Sequence, residues 1–277
     1  LLVQAGSGAL TLGHPDSAGV PEDFARNTLS IPYNNIQALD DTVKKYPGKI
    51  AAVIIEPVAG NMGCVPPSEG YLQKVREICT QDGIVLIFDE VMTGFRVALG
   101  GAQQRYGVTP DLTTLAKIVG GGMPLAAYGG KKEIMEKVSP LGPVYQAGTL
   151  SGNPVSVAAG QAMLRLVHQP KTYKTLEEKA QYLETGIKEL AAKYNQSVTL
   201  NRVGSMFTLF FNPGPVTDYA SAKKSDTEKY AKFFHLMLEG GVYLAPSQFE
   251  CGFISTAHGR KELNKTLKAV EKAFKQI

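Results

Sequence analysis

Cysteine is scarce in this sequence of 277 residues, which contains three. They are odd in number, lie far apart and include no C-x-x-C pair. We therefore expect a reducing compartment: the cytoplasm or, in a plant or alga, the plastid stroma. The histidines also lack the spacing of metal ligands, so no structural metal site is expected. The cysteines are Cys64, Cys79 and Cys251, and the histidines are His14, His168, His235 and His258.

Long runs of basic or apolar residues are also missing. The 29 basic residues exceed the 25 acidic residues by four, and they form no block of the kind that neutralises a phosphate backbone. No apolar run reaches the length of a membrane span. The sequence therefore predicts neither a nucleic acid nor a membrane as a partner. The stretches G-N-M-G and G-G-G-M-P lack the spacing of dinucleotide-binding and P-loop motifs.

The order of the apolar runs predicts an α/β fold. Residues 50–58 and 83–91 are nearly continuous runs of apolar, β-branched residues, which is typical of parallel strands buried on both faces. Between them, Ser68 is predicted to cap an amphipathic helix. Strand, helix and strand form a βαβ unit, and the segments L-T-T-L-A-K and P-L-A-A-Y-G-G would extend a mostly parallel sheet.

The last third of the chain has a different pattern. A long helical section begins near Asn153 and continues through Leu190. Residues 202–211 are predicted to form one strand, and two amphipathic helices occur in the segments that follow. We therefore expect a large domain over residues 1–165 and a smaller α+β domain over residues 166–277.

Two charged side chains follow predicted strands of the large domain. Asp89 ends a buried run, and Lys117 ends a short strand 28 residues later, just before three glycines. In α/β sheets, ligands bind beyond the carboxyl ends of the strands. Taken singly, Asp89 could cap a turn and Lys117 could reach solvent. Together, a lysine that forms a Schiff base and an acidic partner for a pyridinium nitrogen are what pyridoxal 5'-phosphate (PLP) requires.

Three segments carry a resemblance to a known family: I-I-E-P-V-A-G-N-M-G, L-I-F-D-E-V-M-T-G-F-R through K-I-V-G-G-G-M-P, and Y-Q-A-G-T-L-S-G-N-P. They resemble the class III, fold-type I PLP-dependent aminotransferases. The likeness extends over the whole chain. It is greatest to the aminomutase branch, whose members convert glutamate-1-semialdehyde to 5-aminolevulinate in tetrapyrrole biosynthesis.

The resemblance implies roles for five residues at the cofactor. Lys117 would form the Schiff base and move protons, with PLP and its pyridoxamine form alternating. Asp89 would pair with the pyridinium nitrogen. Val91, two residues further along an extended chain, would pack on the ring. Gly148 and Thr149 would contact the cofactor phosphate of the neighbouring subunit, which implies a homodimer. Alternatively, Thr149 could cap the helix that follows.

The resemblance also implies residues that bind the substrate. Asn61 would lie near the cofactor and the substrate, Glu250 would face the amino groups of a diamine, and Ser7 would contact the substrate carboxylate. The glycine-rich opening would form the active-site gate. The phosphate-binding Gly-Thr-Glu-Ala segment and the stacking aromatic residue of the family are missing. Since the chain begins Leu-Leu-Val, we expect a fragment that starts past them.

Two other functions remain open from the sequence. An ω-aminotransferase with a separate amino acceptor would need an arginine for a second carboxylate, and the candidates are Arg96 and Arg202. A chain with this fold but no cofactor would act as a partner or scaffold. The context P-S-Q-F-E around Glu250 favours the aminomutase.

Overall fold

The computed structural model describes residues 18–20, 25 and 27–277. They form two compact units. The mixed-sheet unit comprises Leu39–Pro57 and Glu69–Tyr173. The antiparallel-sheet unit comprises the described residues up to Ala38 together with Val58–Ser68 and Lys174–Ile277. The division of the chain at residue 165 stays a prediction.

The mixed-sheet unit contains a four-stranded sheet in the order β1-β2-β3-β4. Its strands are β1 (Ala52–Ile55), β2 (Val85–Asp89), β3 (Leu112–Leu115) and β4 (Ala127–Gly130). β2 pairs in parallel with both β1 and β3, whereas β4 pairs antiparallel with β3. The predicted βαβ unit is therefore present, and the carboxyl ends of β2 and β3 meet at one edge of the sheet.

From residue 27 to residue 170 of the described chain, the helices are α1 (Ile36–Lys45), α2 (Tyr71–Gln81), α3 (Gly101–Tyr106), α4 (Lys132–Met135) and α5 (Pro154–Val167). The start of α2 differs from the prediction. α2 buries Leu72, Val75 and Cys79 on one face. The predicted cap, Ser68, is wrong, because α2 begins after Gly70. The φ of Gly70 is 73°, a left-handed conformation that glycine adopts without strain.

The helical section predicted from Asn153 through Leu190 is present as two helices. α5 ends at Val167, and α6 (Thr172–Lys193) begins after a short break. Pro170 lies in that break. Proline has no amide hydrogen to donate and disfavours helical geometry in the residue before it, so the helix stops here.

The antiparallel-sheet unit contains β5 (Thr199–Val203), β6 (Met206–Phe210) and β7 (Gly252–Phe253). The single strand predicted for residues 202–211 is wrong, since β5 and β6 form a hairpin. The turn between them contains Gly204 with a φ of 56°, a conformation that favours glycine.

Aromatic side chains form the centre of this unit. Its remaining helices are α7 (Tyr219–Ala222), α8 (Thr227–Glu239) and α9 (Arg260–Phe274). The ring of Phe233 lies 5.3 Å from that of Phe211 and 5.6 Å from that of Phe274, measured between centroids. Both helices that the sequence predicted near the C-terminus are therefore present and packed. Among the described residues, no helix has the length and apolarity to cross a membrane.

Candidate functional site

Asp89 and Lys117 lie at the ends of neighbouring strands. Asp89 is the last residue of β2 and stands opposite Thr114 of β3 in the parallel register. Lys117 follows β3 by two residues and begins a short 3₁₀ turn that ends at Gly120. The structure thus brings a carboxylate and an amine to the same edge of the sheet, where α/β proteins bind ligands.

The carboxylate of Asp89 is held through one of its oxygens. Oδ1 accepts hydrogen bonds from the amide of Val91 at 3.0 Å and the hydroxyl of Thr114 at 3.4 Å. Within the described part of the chain, Oδ2 accepts none and the side chain forms no ion pair. The side chain is half-buried. Asp89 is therefore oriented by its neighbours while one oxygen remains able to accept a proton donor.

Val91 does not lie in an extended segment, as its predicted position assumed. It is the first residue of the turn that follows β2, and it is half-buried. Its amide bond to Asp89 makes it part of the support for the carboxylate. Whether its side chain contacts a cofactor ring stays a prediction.

Lys117 has an unusual backbone conformation. Its φ is 48°, in the left-handed region that residues other than glycine rarely adopt. The side chain of Lys117 is exposed. Among the described residues it forms no ion pair. Strained backbone is often found at functional sites, where the surrounding structure holds it in place.

The glycines after Lys117 make close contact with α5. A Cβ on Gly121 would lie 2.7 Å from the carbonyl oxygen of Ala159, and one on Gly160 would lie 2.6 Å from that of Val119. The sequence predicted that the glycines allow a bound group to approach. Here Gly121 instead allows the Lys117 turn to pack directly on a helix.

Glu90 is a site residue that the sequence analysis missed. Its side chain is 1% exposed, and its carboxylate accepts bonds from the Thr93 hydroxyl, the amides of Ala102 and Gln103, and the Gln103 side chain. Its own amide donates to Thr114 at 3.0 Å. Glu90 therefore ties the loop after Asp89 to α3. The adjacent D-E pair was a signal, but three of the four donors to the carboxylate lie in α3, 12 or 13 residues further along the chain.

The loop before α5 contains Gly148 and Thr149, and both are exposed. The possibility that Thr149 caps α5 is excluded, because Asn153 is the cap and accepts bonds from Val155 and Ser156. Several large apolar side chains in this region are also exposed: Leu141 (78%), Val144 (52%), Tyr145 (83%), Leu150 (66%) and Val155 (60%). Such a concentration is typical of a surface that another chain covers.

Two predicted substrate residues lie in the antiparallel-sheet unit. Asn61 is at the tip of a tight turn, residues 59–65, closed by paired bonds of 3.0 and 2.9 Å between Ala59 and Val65. Glu250 lies in the loop that precedes β7. The amide of Gly63 donates to the carbonyl of Phe249 at 2.8 Å, so the two segments are adjacent. Ser7 and the predicted gate lie outside the described residues.

Tyr230 is buried in this unit. Burial raises the pKa of Tyr230 to about 12, and the charge of Glu250 contributes in the same direction. In the part of the chain that the structure describes, no three His, Cys, Asp or Glu side chains are placed to hold a metal ion.

Comparison with known proteins identifies the family. A family model described as aminotransferase class-III matches residues 12–270. The chain belongs to the class-III aminotransferases. A glutamate-1-semialdehyde 2,1-aminomutase from Desulfotalea psychrophila is 57% identical over 273 residues, which are 99% of this chain and 64% of the relative. The chain thus spans about 64% of the length of such relatives.

Solved structures support the same fold for this class-III aminotransferase chain. An omega-transaminase from Sphaerobacter thermophilus matches 95% of the chain and 60% of its own length, with a TM-score of 0.88 and 31% identity. A transaminase with PLP bound matches 94% of this chain and 60% of its own length, with a TM-score of 0.84 and 28% identity. The predicted fold-type I α/β fold is confirmed.

Proposed function

We propose that this chain belongs to a PLP-dependent aminomutase that converts glutamate-1-semialdehyde to 5-aminolevulinate by intramolecular amino transfer. The observation that carries the proposal is the placement of Asp89 and Lys117 at neighbouring strand ends, with neither in an ion pair among the described residues. The name of the Desulfotalea psychrophila relative supports the choice of reaction.

The residues at the sheet edge suit this cofactor. When bound, PLP supplies a protonated ring that accepts electrons from a substrate carbanion. Asp89 would keep the proton on the ring nitrogen through Oδ2, since Oδ1 already accepts bonds from Val91 and Thr114. A carboxylate fixed in this way needs no reorganisation when charge develops. Val91 would pack on the ring face.

Lys117 would act as the general base and acid. Its Nζ would take a proton from one carbon and return it to the next, which requires an amine free to move. Its exposed side chain on a strained, well-packed turn fits that task. The strain fixes the backbone, while the four side-chain carbons remain able to swing.

The substrate would be bound by Asn61, Glu250 and Ser7. A negatively charged Glu250 would attract the amino groups of a diamine that must turn around without leaving. A carboxylate attracts a cationic amine more strongly in a partly buried site than in water.

The ω-aminotransferase alternative is less well supported. Arg202, one of its two candidate arginines, forms ion pairs with Glu177 at 2.8 Å and Glu184 at 2.6 Å and also donates to the carbonyl of Gly204. A guanidinium with these partners is committed to the fold. Arg96 donates to the carbonyl of Met92 at 2.9 Å, within its own turn.

We propose a homodimer in which Gly148 and Thr149 reach the cofactor phosphate of the neighbouring subunit. The exposed apolar side chains around them support this assembly, since they would be covered by a second copy. The predicted reducing compartment, the cytoplasm or a plastid stroma, is consistent with three free, buried cysteines.

The decisive experiment locates the covalent link to the cofactor. The full-length gene product is mixed with PLP, reduced with borohydride, digested and examined by mass spectrometry. We expect the pyridoxyl group on Lys117 alone. Lys117→Ala should abolish the label, and Lys132→Ala, which removes an exposed lysine, should not change it. Scattered labelling would contradict the proposed cofactor role.

The second experiment tests the reaction itself. The PLP-loaded protein, not treated with borohydride, is supplied with glutamate-1-semialdehyde and no amino donor. It should produce 5-aminolevulinate. Product that forms only after a separate donor is added would contradict the aminomutase and favour the ω-aminotransferase.

A further inference from the structure

One buried hydroxyl joins the two segments that carry the proposed substrate residues. Thr208 lies on β6 and is 4% exposed. Its Oγ1 accepts a bond from the amide of Cys64 at 2.9 Å and donates to the carbonyl of Glu250 at 2.9 Å. The same oxygen thus satisfies a donor in the 59–65 turn and an acceptor in the Glu250 loop. Buried backbone groups require such partners.

A second side chain fixes the Glu250 loop on β6. Gln248 is 2% exposed, and its amide donates to the carbonyl of Leu209 at 2.9 Å and accepts from the amide of Phe211 at 3.2 Å. These are the bonds that a neighbouring strand would make. The Glu250 loop therefore has two attachments to β6: the carbonyl of Glu250 accepts from Thr208, and the Gln248 side chain donates to Leu209.

The 59–65 turn has little freedom to settle elsewhere. Gly63 has a φ of 83°, and a Cβ at this position would collide with the ring of Phe210 and approach Thr208 to 3.2 Å. The thiol of Cys251 also contacts the carbonyl of Gly60 at 3.5 Å. Since packing already fixes the distance of the turn from β6, the Thr208 hydroxyl sets its register with the Glu250 loop.

We propose that Thr208 is a positioning residue for substrate recognition, which sets Asn61 and Glu250 relative to each other through its two hydrogen bonds. The inference rests on the proposed function, in which those two residues meet the substrate. Thr208 belongs to the antiparallel-sheet unit, whereas Asp89 and Lys117 belong to the mixed-sheet unit. Its loss should therefore weaken substrate binding and leave cofactor attachment intact.

The test compares Thr208→Val with Thr208→Ser in the full-length gene product loaded with PLP. Valine keeps the shape of threonine and removes both bonds, whereas serine keeps the hydroxyl. We expect the KM for glutamate-1-semialdehyde to rise about tenfold in T208V, as loss of a well-placed polar contact typically produces, with kcat changed less than about threefold. T208S should restore the wild-type KM. The cofactor absorbance should be the same in all three proteins.

A matched control is Thr266→Val. Among the described residues, the Thr266 hydroxyl donates only to the carbonyl of Glu262 in its own helix, α9, at 2.9 Å, so its loss should not change KM. If T208V proves too unstable to assay, Gln248→Glu is the second variant. It keeps the acceptor for Phe211, removes the donor to Leu209, and should raise KM in the same way.

Three results would overturn the inference. They are an unchanged KM in soluble T208V, a T208S variant as impaired as T208V, and loss of bound cofactor in step with activity. If the wild-type protein makes no 5-aminolevulinate, the proposed function fails separately. Hydrogen–deuterium exchange then decides the positioning role: faster exchange in T208V at residues 59–65 and 247–252 supports it, and unchanged exchange contradicts it.

Discussion

At the scale of single residues, Asp111 is a buried carboxylate of the mixed-sheet unit with two cationic partners. It is 4% exposed and forms ion pairs with Arg76 at 2.8 Å and Lys131 at 2.6 Å, and it accepts a bond from the amide of Leu86 at 2.7 Å. Burial alone would raise its pKa. The hydrogen bonds from Lys131, Leu86 and Arg76 outweigh burial and lower the pKa to about 2.

This shift predicts acid sensitivity. A carboxylate whose folded pKa lies below its unfolded value stabilises the fold above the unfolded pKa, and that contribution disappears as pH falls through the folded pKa. The free energy of unfolding should therefore drop between about pH 4 and pH 2, by about 2 kcal/mol from this group. Urea denaturation across that range measures it.

Asp111→Asn tests the same group at neutral pH. Removing one partner of a buried ion pair lowers the free energy of unfolding by about 3 kcal/mol. The further drop on acidification that is attributed to Asp111 should disappear. Asp40→Asn is the control, since Asp40 pairs with Lys44 on the exposed surface of α1. A D111N protein as stable as D40N would contradict the assignment.

At the scale of elements, the Lys117 turn and α5 behave as one packed body. Gly121 and Gly160 each remove a Cβ that would collide with the backbone of the other element. Asn153 caps the start of α5, and Pro154 follows it. A helix that is distant along the chain therefore sets the position of the proposed catalytic lysine. The cap of that helix, Asn153, lies 36 residues after Lys117.

The glycine pair offers a matched test. Both Gly121 and Gly122 have positive φ, 57° and 92°, but only Gly121 has atoms near its absent Cβ. Gly122→Ala should cost about 1 kcal/mol from backbone strain alone. Gly121→Ala should cost about 1–3 kcal/mol more, because the turn must move away from α5. G121A should also reduce PLP labelling of Lys117. Equal losses in the two variants would show that packing on α5 is unimportant.

At the scale of the whole molecule, all three thiols are shielded. Cys64, Cys79 and Cys251 are free and buried, the first and last in the antiparallel-sheet unit and Cys79 in the mixed-sheet unit. Burial raises the pKa of Cys79 to about 11. A hydrogen bond with Cys251, together with burial, raises the pKa of Cys64 well above its usual range. Thiolate is the reactive form, so these cysteines should be inert in the native protein.

Ellman's reagent should therefore detect no thiol in the native chain at pH 8 and three in guanidinium chloride. Because the cysteines are divided between the units, the rate at which each thiol reacts with the reagent at low denaturant reports the opening of its own unit. Ser68→Cys, at an exposed position, supplies the control thiol and should react at once. Rapid reaction of a native cysteine would contradict its burial.

The sequence predicted the parts of the fold that depend on local pattern. Apolar runs predicted β1 and β2, and helical periodicity predicted α2, α8 and α9. The strand-end positions of Asp89 and Lys117 followed from the same pattern. The β5–β6 hairpin was missed although Gly204 and Ser205, a pair typical of two-residue hairpin turns, interrupt the apolar run between the two strands.

What the sequence could not predict depends on distant partners. Glu90 is satisfied by donors in α3, and Thr208 by groups 144 and 42 residues away along the chain. An isolated threonine in a strand has no pattern that distinguishes it from its neighbours. The exposure of Lys117 depends on which elements cover the sheet edge, and periodicity does not report that.

The strand-like bonds of the Gln248 side chain have a consequence for how this protein tolerates change in length. β7 begins at Gly252, so the three residues of the turn between Gln248 and Gly252 must return the chain to β6. Deleting or inserting one residue there would break the hydrogen bonds of the Gln248 side chain or turn the Glu250 carboxylate to the opposite side. Variants selected for activity from a random library should therefore accept new residue types in this loop but retain its number of residues.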